Sequence, residues 1–266
     1  MRILDFHTHA FPDAIAERAI AALIKSAHDG ITSETNGTVS GLLEIMDRFG
    51  VEKSVVANIA TKPAQSKNIV DWSLQVRTDR ILPFGSVHPD TTDPIADVEQ
   101  IQNAGLKGVK LHPFYQNFAA DDPRMFPVYD AVAQAGLPLL FHAGYDIAFG
   151  DSDLAAPHRF VTVLKNFPKL HVVLAHFGGW NLYSEFLETL AGKSVTIDTS
   201  FTAGYCPDST RDAILKKHDL NRIVFASDSP WGGLKNQIDY VAQMPLPDSI
   251  KERIFWHNAA EMLGEK

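Results

Sequence analysis

The stretch RILDFHTHAFP, residues 2–12, joins a short apolar run to two histidines, His7 and His9. Side chains two positions apart in a β-strand point to the same face, so these imidazoles are expected side by side. Such a pair adds little to an apolar core, but it is a natural pair of metal ligands. The turn FHTHAFP holds no glycine, whereas the nucleotide-binding turn of an open doubly wound sheet is glycine-rich. The stretch therefore favours a closed α/β barrel.

Seven further apolar segments resemble parallel strands that are buried on both faces. They span 53–60, 81–87, 106–112, 137–143, 170–176, 194–200 and 222–228. Amphipathic helical patterns lie between them, and the clearest span 41–50, 93–105, 157–168 and 209–219. Strands alternating with helices predict an α/β fold, a single (β/α)8 TIM barrel. We expect residues 1–266 to form this one domain.

Composition and charge limit the classes of partner. The net charge is −8, and no cluster of Lys or Arg stands out, so a nucleic-acid partner is not expected. No apolar run approaches the ~18 residues that cross a bilayer, and no secretory signal precedes the first strand, so no membrane partner is expected. Cys206 is the lone cysteine, which fits a reducing compartment. These features predict a cytoplasmic protein that acts on a small molecule.

Polar side chains fall at the carboxyl ends of five predicted strands, where barrel enzymes carry their active sites. They are His7, His9, Lys110, His112, His142, His176 and Asp228. A single histidine at the end of a buried strand is commonly a hydrogen-bonded structural residue. Together, these residues predict a metal site instead. Three histidine nitrogens and a carboxylate around an open position suit Zn²⁺, with Mn²⁺ or Fe²⁺ as alternatives.

Other polar and aromatic residues are candidates for the pocket wall. His88 follows the third predicted strand, where a turn role is the alternative. Arg159, beyond the fifth strand, is expected either to pair with a substrate carboxylate or to lie at the surface. Trp180 and Trp231 follow rim motifs and are expected to wall the pocket, with helix–barrel packing as the alternative. Asp5 is expected on the face of His7, as its hydrogen-bonding partner or as a buried carboxylate.

Several of these motifs resemble the amidohydrolase superfamily. They are HTH on strand one, GVKLHP on strand four, FHAG, AHFGG, SDSPW on strand eight and the terminal NAAEMLG. The closest resemblance is to the amidohydrolase-related branch that contains aminocarboxymuconate-semialdehyde decarboxylase. The resemblance implies that His7, His9 and His142 bind the metal, and that Asp228 is a further ligand or the base. It implies that His176 is a catalytic acid or base, or a ligand of a second metal.

The resemblance does not decide the roles of the two polar residues at the end of the fourth strand. Lys110 is either a carboxylated lysine that bridges two metal ions or a plain lysine that holds a substrate carboxylate, and His112 is a substrate-facing candidate. TatD-type nucleases share the HxH and the barrel, but they carry a glutamate ligand where this chain has GVKLHPFYQ. PHP-type phosphoesterases begin similarly, although SDSPW is not their hallmark. Both are less expected functions.

The leading hypothesis is a metal-dependent hydrolase that acts on a small amide, lactone or ester. The metal would lower the pKa of its water to about 7, with Asp228 and His176 as the catalytic groups. The alternative is a non-oxidative decarboxylase that uses the same metal site. An inactive ligand-binding barrel is the third hypothesis. Many barrels of this kind pair, but the sequence leaves open whether this chain forms a homodimer. Residues 33–41 are the candidate lid or contact.

Overall fold

A computed structural model describes residues 1–28 and 30–266 of the chain. Eight short strands alternate with helices. The strands are β1 (Leu4–Thr8), β2 (Lys53–Val56), β3 (Ile81–Pro83), β4 (Val109–Leu111), β5 (Pro138–Phe141), β6 (His171–Leu174), β7 (Thr196–Asp198) and β8 (Ile223–Val224). Each overlaps one predicted segment. The strands are shorter than most predictions because the last residues of those segments leave the sheet and form the rim.

The helices lie between and after these strands. They are α1 (Asp13–Ser26), α2 (Val39–Phe49), α3 (Gln65–Val76), α4 (Pro94–Asn103), α5 (Phe126–Ala135), α6 (Pro157–Asn166), α7 (Tyr183–Thr189), α8 (Asp208–Lys217), α9 (Leu234–Ala242), α10 (Asp248–Glu252) and α11 (Asn258–Leu263). Asp93 caps the start of α4, since its carboxylate accepts a hydrogen bond from the backbone N–H of Ala96. No helix among the described residues is long and apolar enough to cross a membrane.

The strands form the (β/α)8 barrel that the sequence predicts. All ladders are parallel, in two sections with the orders β1-β2-β3 and β4-β5-β6-β7-β8. Bridges from Gly85 to Val109 and from Thr8 to Ser229 join the sections at their two edges. The alternation of strands and helices along the chain thus produces a ring, with strand carboxyl ends at one rim.

The β1–β2 ladder contains a bulge beside the predicted metal ligands. Asp5 pairs with Ser54 and Thr8 pairs with Val56, so one extra residue of β1 lies between these two pairs. An extra residue interrupts the two-residue period of a strand and re-aims the side chains that follow it. Asp5 and His7 therefore do not share a face, although regular alternation predicts that they do.

Two apolar layers support the rim. One cluster includes Leu4 and Phe6 from β1 and Phe84 directly after β3, together with Trp256 and apolar residues of α11. The other packs the opposite strand faces against the surrounding helices. Burial of aliphatic and aromatic side chains contributes about 1.5–3 kcal/mol each relative to exposure. These layers hold the short strands in place, so the polar side chains at the rim are carried by a rigid frame.

Candidate metal centre and cavity

Six strands bring ionisable side chains to one rim of the barrel. From β1, β4, β5, β6, β7 and β8, or the residues that directly follow them, come His7, His9, Lys110, His112, His142, His176, Asp198 and Asp228. All are buried or half-buried. Such a concentration of buried polar groups at the carboxyl ends of barrel strands is typical of an active site.

His7, His9 and Asp228 form one compact group of metal-ligand atoms. Asp228 Oδ1 lies 3.0 Å from His9 Nε2 and 3.5 Å from His7 Nε2. Although burial opposes it, the neighbouring His7 and His9 hold the pKa of the Asp228 carboxyl well below its usual range. The carboxylate is therefore charged and available as a ligand.

His142 lies with a different set of side chains. Its possible ligand atoms group with those of His112 and Asp146, all within 4.8 Å of one another. The imidazoles of His112 and His142 stack, with ring centroids 4.2 Å apart. Regular alternation predicts neither this stacking nor Asp146, which follows in the loop after β5. The structure thus separates His142 from the group formed by His7, His9 and Asp228, and its role as a ligand stays a prediction.

The hydrogen bonds of His142 and His176 define which ring nitrogens carry protons. His142 Nε2 lies 2.9 Å from the carbonyl oxygen of Tyr145, so this nitrogen donates. His176 Nδ1 lies 3.1 Å from the carbonyl oxygen of Ser200, so it donates as well. The remaining nitrogens, His142 Nδ1 and His176 Nε2, face each other at 3.1 Å. In the neutral rings both carry lone pairs.

Lys110 lies beside the group formed by His7, His9 and Asp228. It is buried, and its Nζ is 2.9 Å from His7 Nε2. Burial lowers the pKa of Lys110 to about 8, while Asp228 and Asp198 favour its charged form. Burial also lowers the pKa of His176 to about 4 and of His142 to about 4. At neutral pH the lysine is therefore the main cation among the residues of the rim.

Asp198 at the end of β7 is a site residue that the sequence analysis missed. Its Oδ2 accepts a hydrogen bond from His7 Nδ1 at 3.0 Å. Asp198 lies near the carboxyl end of the predicted strand SVTIDTS. The criterion that selected the other rim residues, a polar side chain at the carboxyl end of a strand, therefore also identifies Asp198. Asp5 does not take that position, because its carboxylate accepts hydrogen bonds from Ser227 and from the backbone N–H of His7.

Two of the site residues have left-handed backbone conformations. His176 has φ 60° and Asp228 has φ 65°. Few residues other than glycine adopt this region, and such residues cluster at functional sites. Regular strand alternation therefore does not define the side-chain directions of these two residues.

The rim opens into a cavity of about 580 Å³. The ionisable residues of the rim form its floor, except Asp198, which is not among the lining residues. Its walls are largely apolar and include Phe11, Ile15, Ala19, Leu23, Ile59, Ile69, Trp72, Ile147, Trp180, Phe201 and Trp231. Trp180 and Trp231 are thus among the lining residues, and their role as substrate contacts stays a prediction. Among the described residues that line the cavity, Lys110 is the only lysine or arginine.

The sequence left the positions of His88 and Arg159 open, and neither residue is among those that line the cavity. His88 Nδ1 accepts a hydrogen bond from the backbone N–H of Asp90, which is the turn role that was the alternative. The Arg159 guanidinium binds Asp121 and Asp153 near the surface. Two nearby carboxylates satisfy this side chain, so it has no reason to turn toward the cavity.

The sequence model of the Amidohydrolase family matches residues 4–264. The chain belongs to the amidohydrolase family. This confirms the predicted superfamily, and the chain is an enzyme of that superfamily. No curated protein sequence matches this amidohydrolase significantly.

Solved structures share the fold of this amidohydrolase. The 5-carboxyvanillate decarboxylase LigW from Sphingomonas paucimobilis is 17% identical with a TM-score of 0.73, over 100% of this chain and 99% of LigW. LigW2 from Novosphingobium aromaticivorans, a 5-carboxyvanillate decarboxylase with bound manganese, is 13% identical with a TM-score of 0.74, over 98% and 97% of the two chains. A probable 2-pyrone-4,6-dicarboxylic acid hydrolase from Acinetobacter baumannii is 19% identical with a TM-score of 0.71, over 99% and 100%. At these identities the similarity establishes the fold.

The donor atoms of the amidohydrolase rim fit a divalent cation. Ligand atoms about 2.1 Å from one cation lie about 3.0–3.4 Å from each other. The separations of 3.0 and 3.5 Å from Asp228 Oδ1 to His9 Nε2 and His7 Nε2 are close to this range. Two nitrogens and one carboxylate oxygen are the donor set of a catalytic site that leaves a position for substrate. His142 Nδ1 and His176 Nε2 also face each other with their lone pairs. A cation or a proton near these two nitrogens would remove the repulsion between the lone pairs.

Proposed function

We propose that this protein is a metal-dependent, non-oxidative decarboxylase. Its substrate is a small monocarboxylic acid whose remaining part is apolar and either aromatic or unsaturated. The observation that carries the proposal is the polarity of the cavity. Lys110 lies at the floor as the only lysine or arginine among the described lining residues, and the walls are largely apolar. A ligand that matches this cavity has a single carboxylate at one end and an uncharged body at the other.

His7, His9 and Asp228 would hold the metal ion, with Zn²⁺ and Mn²⁺ as the candidates. When bound, such an ion polarises a carboxylate or a neighbouring oxygen of the substrate as a Lewis acid. Manganese in the LigW2 structure supports this choice of ion class. The names of LigW and LigW2 likewise support decarboxylation.

Lys110 orients the carboxylate of the substrate, and the apolar walls desolvate it. The buried Lys110 ammonium orients it at the floor through a charge-assisted hydrogen bond. The walls, including Trp180 and Trp231, remove water from its surroundings. A carboxylate loses much of its solvation there, which favours the departure of uncharged CO₂ over the retained anion.

His176 supplies the proton. Its Nε2 faces His142 Nδ1, so the pair can hold one proton between the two nitrogens. An anionic substrate on the floor favours the protonated imidazole and opposes the lowered pKa of His176. The bond from carbon to the carboxyl group breaks, CO₂ leaves, and the proton of His176 forms the new bond to carbon. The reaction consumes one proton and one carboxylate, and it releases CO₂ and the shortened product.

Buried polar atoms in the cavity wall point to a further substituent on the substrate. Asn58 Oδ1, His112 Nδ1 and Trp180 Nε1 are buried, and they have no hydrogen-bond partner among the described residues. Leaving such atoms unpaired costs about 1–3 kcal/mol each. A substrate hydroxyl could donate to Asn58 Oδ1, and a substrate hydroxyl or oxo group could accept from Trp180 Nε1. Hydroxylated aromatic acids and oxo-substituted enoic acids are therefore the first substrates to test.

The test is an assay of the protein reconstituted separately with Zn²⁺ and Mn²⁺. Hydroxylated aromatic acids and substituted enoic acids are offered beside their methyl esters, amides and lactones, and CO₂ and organic products are quantified. We expect CO₂ and a product shortened by one carbon. Hydrolysis of an ester, amide or lactone without release of CO₂ from any acid would overturn the proposal in favour of the hydrolase.

Two variants sharpen this test. His176→Asn keeps a donor toward Ser200 but removes Nε2, and we expect kcat to fall by about 10²–10⁴, as for loss of an acid–base group. His88→Asn is the matched control, because His88 lies in a turn outside the cavity. Decarboxylation that persists in the His176→Asn variant at the unmodified rate contradicts the assigned proton donor.

A further inference from the structure

We propose that Asp198 is the positioning residue of the metal centre, and that it fixes the His7 ring directly and the His176 ring through Ser200. This inference rests on the metal site of the proposed function, not on the reaction. Asp198 lies at the end of β7 and is fully buried. It is distant in sequence from His7, by 191 residues, and is brought to it only by the barrel.

The two oxygens of the Asp198 carboxylate have different tasks. Oδ1 accepts hydrogen bonds from the backbone N–H of His176 at 3.0 Å, from the backbone N–H of Ser200 at 2.9 Å and from the Ser200 hydroxyl. Oδ2 lies 3.0 Å from His7 Nδ1. Three donors thus fix the carboxylate in one orientation, and the second oxygen is left to accept from the imidazole.

This contact determines the tautomer of His7. A carboxylate oxygen only accepts, so His7 Nδ1 carries the proton and Nε2 carries the lone pair. The neighbour on the other side agrees, since Lys110 Nζ lies 2.9 Å from Nε2 and an ammonium only donates. Metal-binding histidines need their ligand nitrogen bare, and a carboxylate on the opposite nitrogen secures this and increases its basicity.

Ser200 extends the same control to His176. Its hydroxyl donates to Asp198 Oδ1, so the hydroxyl oxygen is free to accept from His176 Nδ1 at 2.9 Å. The Ser200 carbonyl oxygen lies 3.1 Å from the same nitrogen. His176 therefore carries its proton on Nδ1 and leaves Nε2 unprotonated toward His142 Nδ1. One buried carboxylate sets the orientation of a metal ligand and of the proposed proton donor.

The Asp198→Asn variant isolates this role. The three donors around Oδ1 require the amide oxygen in that position, so the amide NH₂ must take the position of Oδ2 and face His7. His7 Nδ1 then has to accept, and the proton moves to Nε2. We expect metal affinity to weaken about 10- to 100-fold, the usual effect of removing such a partner.

Asp5→Asn is the matched control. Asp5 is also a buried carboxylate of the rim strands, but it binds Ser227 and the backbone of His7 instead of its ring. We expect Asp5→Asn to leave the His7 tautomer unchanged and metal affinity within about twofold. An equal loss of affinity in both variants would mean that buried charge in general, and not Asp198 in particular, supports the site.

The experiment measures ring-nitrogen ¹⁵N shifts of the metal-free protein and metal binding by titration calorimetry. The His7 signals are assigned by their absence in His7→Asn. In the unmodified protein we expect Nδ1 protonated and Nε2 bare, and this readout needs no folded variant of Asp198. The opposite tautomer would overturn the inference even if metal binds. A correct tautomer without metal binding would instead overturn the proposed function.

Discussion

His142 Nδ1 and His176 Nε2 face each other at 3.1 Å, while the opposite nitrogen of each ring donates to a backbone carbonyl. Two lone pairs at this distance repel unless a proton or a cation lies between them. Both rings are buried, so water does not screen the contact. The pair is therefore a point at which stability is lost in favour of function.

His176→Asn should leave the metal-free protein as stable as the unmodified protein, or stabilise it by about 1 kcal/mol. The asparagine amide can still donate to the Ser200 carbonyl, and the facing lone pair disappears. Urea unfolding in chelator measures the free energy of unfolding. A loss of about 2 kcal/mol or more would show that the contact stabilises the fold.

Metal removal should lower the melting temperature reversibly. An ion bound only by the folded state stabilises it by about 2.7 kcal/mol when present at 100 times its Kd. Thermal unfolding in chelator, followed by re-addition of Zn²⁺ or Mn²⁺, measures the effect. We expect no response in the double variant His7→Ala/His9→Ala, and an unchanged response there would place the ion elsewhere.

Lys110→Met distinguishes the two interpretations of this lysine. If Lys110 is a plain ammonium beside His7, removing its charge lessens repulsion of the ion, so metal affinity should be equal or higher. The KM for the acid should rise about tenfold or more, because a charge-assisted contact is lost. Loss of bound metal, determined by metal analysis, would instead favour a carboxylated lysine that bridges two ions.

Ala19→Phe tests whether the apolar body of the substrate fills the cavity. Ala19 lies on α1 and lines the wall, away from the ionisable floor. The larger ring should lower kcat/KM about tenfold or more for bulky acids and less for small ones. Metal affinity should not change. A uniform loss across acids of every size would indicate a disturbed fold, which circular dichroism checks.

His218 should make stability depend on pH without involving the metal centre. Its buried Nδ1 accepts a hydrogen bond from the backbone N–H of Gly192 at 3.1 Å, and burial lowers its pKa from the ordinary value of 6.5. The unfolded chain therefore binds this proton more readily. The stabilising contribution is complete above pH 6.5 and declines as pH falls from there through the lower folded pKa.

His218→Asn supplies the comparison, because its amide oxygen can accept from Gly192 in place of Nδ1 and does not titrate. Urea unfolding of both proteins between about pH 8 and pH 5 gives the difference in the free energy of unfolding. We expect the unmodified protein to lose stability relative to the variant on acidification. A difference that does not vary with pH would contradict the assignment of a neutral, buried His218.

The fold and the general position of the site were predictable because each rests on a local pattern. Short apolar runs separated by helical patterns predict the barrel, and its topology brings the strand ends to one rim. His7, His9 and Asp228 were thus predictable as a group. The sequence left Arg159 open between a substrate contact and the surface, because no local pattern reveals its partners Asp121 and Asp153.

The sequence by itself determined the barrel, the family and the residue types at the rim, since periodicity and strand-end motifs are local properties of the chain. Only the tertiary structure decided the orientations of the imidazole rings of His7 and His176. The bulge after Asp5 separates it from the ring of His7, and the left-handed backbone at His176 turns its imidazole. Asp198 binds His7 across 191 residues. Such contacts depend on how the barrel closes, and hydrogen-bond direction then assigns each proton.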